Sequence, residues 1–141
     1  MRDARRNARA PLAGAAVALA AAGLLAGCTA PTDVTANVTS VDIVEHVEGQ
    51  SWIEARGIVH GIAERGGVCR FTFWAENGAA SRLTSTGRIE GGATVCGPVS
   101  EQVGRTVVPG RYEVELRYDS TSTSARSERV EVDVPAPPAA P

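Results

Sequence analysis

"RYEVELRYD", Arg111 to Asp119, alternates throughout: Tyr112, Val114, Leu116 and Tyr118 fall at one parity, Glu113, Glu115, Arg117 and Asp119 at the other. Successive side chains of a β-strand point to opposite faces, so this stretch predicts a strand with one face in a core and one in water. "RVEVDV", Arg129 to Val134, repeats the pattern with Val130, Val132 and Val134 inward. The polar connection "STSTSARSE" between them makes the two an antiparallel pair that closes the fold. Pro109-Gly110 is the turn that leads into the first of them.

The same periodicity extends upstream. In "VCRFTFWA", Val68 to Ala75, Cys69, Phe71 and Phe73 share the inward parity, while Arg70, Thr72 and Trp74 share the outward one. "ATVCGPV", Ala93 to Val99, carries Cys96, and "RTVV", Arg105 to Val108, reads as a short strand. "WIEARGIVHGI", Trp52 to Ile62, is a strand interrupted by glycines and followed by the turn "ERGG" at Glu64 to Gly67. "VTSVDIVEHVE", Val38 to Glu48, competes between helix and strand, and its β-branched residues favour strand, with Val41, Ile43 and Val47 inward. Short strands about ten residues apart, punctuated by Gly and Pro, predict an all-β fold: one antiparallel β-sandwich of about seven strands over residues 41–134. A chain of 141 residues has room for one such domain.

The two ends read differently. Arg2, Arg5, Arg6 and Arg9 precede an uncharged, alanine-rich run from Ala10 to Ala26. A basic start followed by an apolar segment predicts a secretory signal over residues 1–27, removed from the mature protein. The run ends in "LAGC", Leu25 to Cys28, which resembles the lipobox of bacterial lipoproteins. That resemblance implies a diacylglyceryl group on Cys28 and a protein held at the extracytoplasmic face of the cell membrane. Two acyl chains anchor stably where one does not, because each buried CH₂ contributes about 0.8 kcal/mol. "TAPTDVTANVTS", Thr29 to Ser40, has little apolar bulk, so residues 28–40 are expected to be lipidated cysteine plus flexible tether. Residues 135–141, "PAPPAAP", predict a disordered proline-rich tail.

With Cys28 given to lipid, Cys69 and Cys96 remain, and in an exported protein they are expected to form a disulfide. The mature chain keeps ten Arg against fifteen Asp plus Glu and has no lysine. This acidic balance argues against nucleic acid as a partner, since nucleic acid is bound through an excess of clustered basic residues.

"GIVHGIAERGGVCRFTF", "TVCGPVS" and "VPGRYEVELRYDS" with the closing "SARSERVEVDVP" resemble an immunoglobulin-like or fibronectin-III-like module found in secreted and cell-wall proteins of high-GC Gram-positive bacteria. The shared residues are Gly67, Cys69, Cys96, Pro109 to Tyr112, Tyr118 and a late Ser, over about residues 53–135. The resemblance implies an Ig-like sandwich and an envelope setting, and carries no catalytic residue with it.

Candidate chemistry is sparse. The two histidines, His46 and His60, have no nucleophile elbow to serve. With Glu45 or Glu48 they could meet over a zinc ion, and Asp42, Glu45 and Glu48 could meet over calcium, but no spacing demands either. No cofactor is implied. Trp52 and Trp74 both fall at the outward parity beside charged residues, Trp52 with Glu54 and Arg56, Trp74 with Arg70 and Thr72. Exposed tryptophan next to arginine is a binding-surface composition, so Trp52, Trp74 and Arg70 form the expected surface; the competing reading has the tryptophans covering an open end of the sandwich. The expected role is a non-catalytic binding or adaptor module for an envelope protein or cell-wall polymer. Small-ligand binding beside a transporter and a structural spacer are the alternatives.

Overall fold

Among the described residues, nine strands build two antiparallel sheets. The computed structural model describes residues 33–47, 50–105 and 107–136. The strands are β1 (Thr35–Val47), β2 (Gln50–His60), β3 (Val68–Ala75), β4 (Ala80–Thr86), β5 (Arg88–Glu90), β6 (Ala93–Gln102), β7 (Gly110–Asp119), β8 (Ser124–Arg126) and β9 (Val130–Val134). One sheet runs β1-β2-β6-β5; the other runs β4-β3-β7, with β8 and β9 both paired to β7. In immunoglobulin lettering these are strands A, B, E and D facing C′, C, F and G, with the last strand split in two. The predicted signal segment, Cys28 and residues 137–141 lie outside the described residues.

Alternation decides what is inside. Tyr112, Val114, Leu116 and Tyr118 of β7, Cys69, Phe71 and Phe73 of β3, and Ile53, Ala55 and Val59 of β2 form the buried core. Each large apolar side chain so buried contributes about 1.5–3 kcal/mol. Cys69 and Cys96 are bonded with their Cα atoms 5.7 Å apart, joining β3 of one sheet to β6 of the other. The bridge thus lies between C and E, whereas antibody domains bridge B and F. At the start of β7 the Tyr112 hydroxyl donates to the carbonyl of Val108 at 2.8 Å, the tyrosine corner of Ig-type sandwiches.

Three sequence expectations are corrected. The sandwich has nine strands among the described residues, not about seven. The additional ones are short or weakly apolar: β4 presents Ser81, Leu83 and Ser85 at its inward parity, which hides the period, and β8 lies inside the polar connection. Residues 35–40 are strand and not tether. Ala36 and Val38 turn inward, a bulge at Thr39 adds one residue, and Val41 and Ile43 then take over the inward parity. Arg105, Val107 and Val108 belong to no strand; Val103 and Val107 make a single bridge around a turn at Gly104.

β6 is bulged as well. Between Val99 and Cys96 it spends one residue more than β2 does, at Gly97-Pro98, where Gly97 has φ of 86° and the peptide bond is cis. Positive φ suits glycine, and proline withholds a ladder donor there at little cost. The freed Gly97 N–H donates instead to Ser85 of β4 at 2.9 Å, and Ser81 of β4 donates to Glu101 of β6 at 2.7 Å. These bonds hold the edge of one sheet to the other.

Candidate functional site

The outer face of the five-stranded sheet carries most of the ordered charge. β3 pairs with β7 so that Arg70 stands opposite Arg117, Thr72 opposite Glu115 and Trp74 opposite Glu113. β8 extends the first row by setting Arg126 opposite Arg117, and β4 sets Arg82 beside Thr72. Three arginines therefore line up across adjacent strands, with a fourth one register step away. Neighbouring strands are about 5 Å apart, and like charges directly opposite each other repel.

Two carboxylates offset part of that repulsion. Asp119 accepts from Arg117 at 2.9 Å and lies 3.6 Å from Arg70. Glu115, whose side chain is only 12% exposed, pairs with Arg126 at 3.3 Å and Arg129 at 3.7 Å. Arg82 makes no ion pair with any described residue. Arg70, Arg82, Arg117 and Arg126, with Glu115, Thr72 and Trp74, line a shallow depression of about 330 Å³. Its lining carries four positive charges and one negative.

Trp74 separates this basin from a second depression, of about 410 Å³, where Glu76, Glu113 and Glu131 accompany Arg111 and Arg129. The indole is half-buried, and the Arg129 guanidinium covers it at 4.1 Å from the ring centre. The break between β8 and β9 creates this contact. Ser127 takes over the ladder, its hydroxyl accepting from Leu116 N and its own N–H donating to Leu116 O, both at 2.9 Å. The chain is thereby released at 127–129, and Arg129 reaches Trp74 while also holding Glu113 at 2.6 Å.

The predicted surface residues divide between two faces. Arg70 and Trp74 share the outer face of the five-stranded sheet. Trp52 lies on the outer face of the other sheet, opposite Val44 and Gln102, with His46 edge-on at 5.1 Å. His60 is at the far end of β2, exposed, roughly 25 Å along the strand from Trp52 at about 3.3 Å per residue. The two histidines do not share a site, and among the described residues no group of three or more His, Cys, Asp or Glu is placed to hold a metal. Glu48 lies outside the described residues.

Arg82, Arg117, Arg126 and Arg129 are the face residues that sequence reading does not single out. Alternation places Arg117 on a wet face, but nothing local says that Arg70 and Arg126 stand beside it.

A second polar cluster lies at one end of the sandwich and is structural. The buried Tyr118 donates to Glu64 at 2.6 Å, Ser122 donates to the other Glu64 oxygen at 2.7 Å, and the Thr94 hydroxyl accepts from Glu64 N at 2.9 Å. Burial, then the Glu64 carboxylate, push the Tyr118 hydroxyl up to about 12, and hydrogen bonds from Ser120, Tyr118 and Ser122 hold Glu64 below the usual carboxylate range.

The fold and face together define an Ig-type sandwich with one charged, tryptophan-centred outer surface. No protein-family model, curated protein or solved structure matches the chain.

Proposed function

We propose that this protein is a lipoprotein anchored through Cys28 at the extracytoplasmic face of the cell membrane, whose sandwich is a non-catalytic binding module for a component of the cell envelope. The observation that carries the reading is the outer face of the five-stranded sheet, where the Arg129 guanidinium covers Trp74 and ion pairs hold Arg70, Arg117 and Arg126 in place before any partner arrives. Side chains already ordered lose little freedom on binding. The Cys69–Cys96 bridge supports the exported setting and leaves Cys28 for the anchor. Anchoring raises the local concentration of the module near envelope components, so modest affinity suffices. A carrier of small ligands would call for a more enclosed pocket than these shallow depressions.

The experiment is capture from cross-linked envelope fractions by the full chain, comparing Trp74→Ala with Trp52→Ala. The reading expects capture to fall with Trp74→Ala and to persist with Trp52→Ala, which alters the opposite face. Equal capture by all three chains rejects this face as the binding surface.

A further inference from the structure

We infer that the basin formed by Arg70, Arg82, Arg117 and Arg126 binds the anionic groups, phosphate or carboxylate, of a linear envelope polymer. The inference rests on the binding-module reading above and specifies its ligand.

Charge placement is the first support. The mature chain has an excess of acids, fifteen against ten arginines, yet four of those ten surround one depression with a single carboxylate in its lining. Solubility does not ask for this, because scattered charge serves it equally well and the like-charged row across β3, β7 and β8 is itself unfavourable. A bound anion converts that repulsion into attraction. Asp119 is shared between Arg70 and Arg117, leaving part of each guanidinium fork free to receive an oxyanion. Arg82 has no acid of its own among the described residues. All the cations are arginine, whose planar fork matches carboxylate and phosphate oxygens.

The shape of the field selects the ligand. The arginine row runs across the strands, whereas Glu113 and Glu131 lie on the row that contains Trp74 and Asp133 one step further along the sheet. A flat anionic membrane pressed onto this face meets both signs together. A single chain following the row meets the arginines and avoids those acids. A polymer also presents several charges at once, which suits a basin too shallow to enclose one small anion.

The test is isothermal titration of the full chain, in neutral detergent, with poly(glycerol phosphate), polygalacturonate and uncharged dextran. At least one of the two polyanions is expected to bind, dextran is not, and the preferred polyanion tells phosphate from carboxylate. Arg70→Gln/Arg117→Gln is expected to weaken binding about tenfold, and Arg82→Gln, which removes no ion pair with a described residue, about threefold. Added salt weakens the interaction, and Arg56→Gln on the opposite sheet leaves it unchanged. Dextran binding as tightly as the polyanions, or wild-type affinity in both arginine variants, overturns the inference. So does displacement of the polymer by anionic phospholipid added to the micelles, which would assign the basin to a membrane. If no polyanion binds while capture sensitive to Trp74→Ala persists, the ligand class is wrong and the module reading stands; if that capture is also absent, both fall.

Discussion

The Tyr118 hydroxyl, buried at the end of β7, donates a 2.6 Å hydrogen bond to the Glu64 carboxylate in the loop between β2 and β3. Tyr118 is neutral and Glu64 ionised in this pairing. The tyrosine's folded pKa is raised to about 12, so its contribution is complete below the unfolded value near 10 and is lost as pH rises from there toward 12. Glu64 is shifted the other way, so its contribution is present above the ordinary carboxylate range and is lost as pH falls below it. Denaturant titrations across pH are expected to show both declines. Tyr118→Phe removes the alkaline one at a cost of about 1–2 kcal/mol at neutral pH. An alkaline decline of equal size in the variant would refute the assignment.

Gly67 lies against the Tyr118 ring, where a methyl group at its Cα would overlap the hydroxyl and the ring carbons Cζ and Cε2. Gly67→Ala is therefore expected to displace Tyr118 and cost about 1–3 kcal/mol. Gly66→Ala is the contrasting case: nothing lies near its Cβ position, and its cost comes from a φ of 89° that disfavours alanine. Thermal melts of Gly67→Ala, alone and combined with Tyr118→Leu, which removes the ring, read the overlap: a combined cost smaller than the sum of the two single costs is the expected outcome.

The Cys69–Cys96 bridge closes a loop with a sequence separation of 27. The chain-entropy account assigns such a loop roughly 3 to 4 kcal/mol of stabilisation through the unfolded state. Cys69→Ala/Cys96→Ala is expected to lower unfolding free energy by about that amount, with a further loss from the small void left between the sheets. A drop below about 1 kcal/mol would contradict it.

Arg129 covers Trp74, and the stacked pair is worth about 0.5–1 kcal/mol at a partly exposed site. In a Trp52→Phe background, where Trp74 is the remaining tryptophan, Arg129→Ala is expected to raise acrylamide quenching of its fluorescence while changing stability little. Unchanged quenching would mean that the guanidinium does not shield the ring in solution.

Much of the sandwich is legible residue by residue. The parity of Tyr112, Val114, Leu116 and Tyr118, and that of Cys69, Phe71 and Phe73, predicts their burial correctly because side-chain alternation is a property of the extended backbone itself. The pairing of Cys69 with Cys96 is legible from cysteine count together with the export that the N-terminal segment predicts. β4 is not, because its inward positions are mostly serines that serve hydrogen bonds to β6 and not apolar packing. The first half of β1 is not legible either, since the Thr39 bulge changes parity in mid-strand and leaves a polar-looking stretch.

The face is another matter. Sequence alone places Arg70, Trp74 and Arg117 on wet faces, but it groups Trp52 with them, and the two tryptophans stand on opposite sides of the molecule. Which outward side chains become neighbours depends on the register between strands far apart in the chain, and register is selected by inward packing. Arg70 meets Arg117 because Phe71 and Leu116 meet beneath them, and Arg129 reaches Trp74 because Ser127 interrupts the final strand. Local alternation determined the two faces of each strand; only the packing of the core decided which charges would share one.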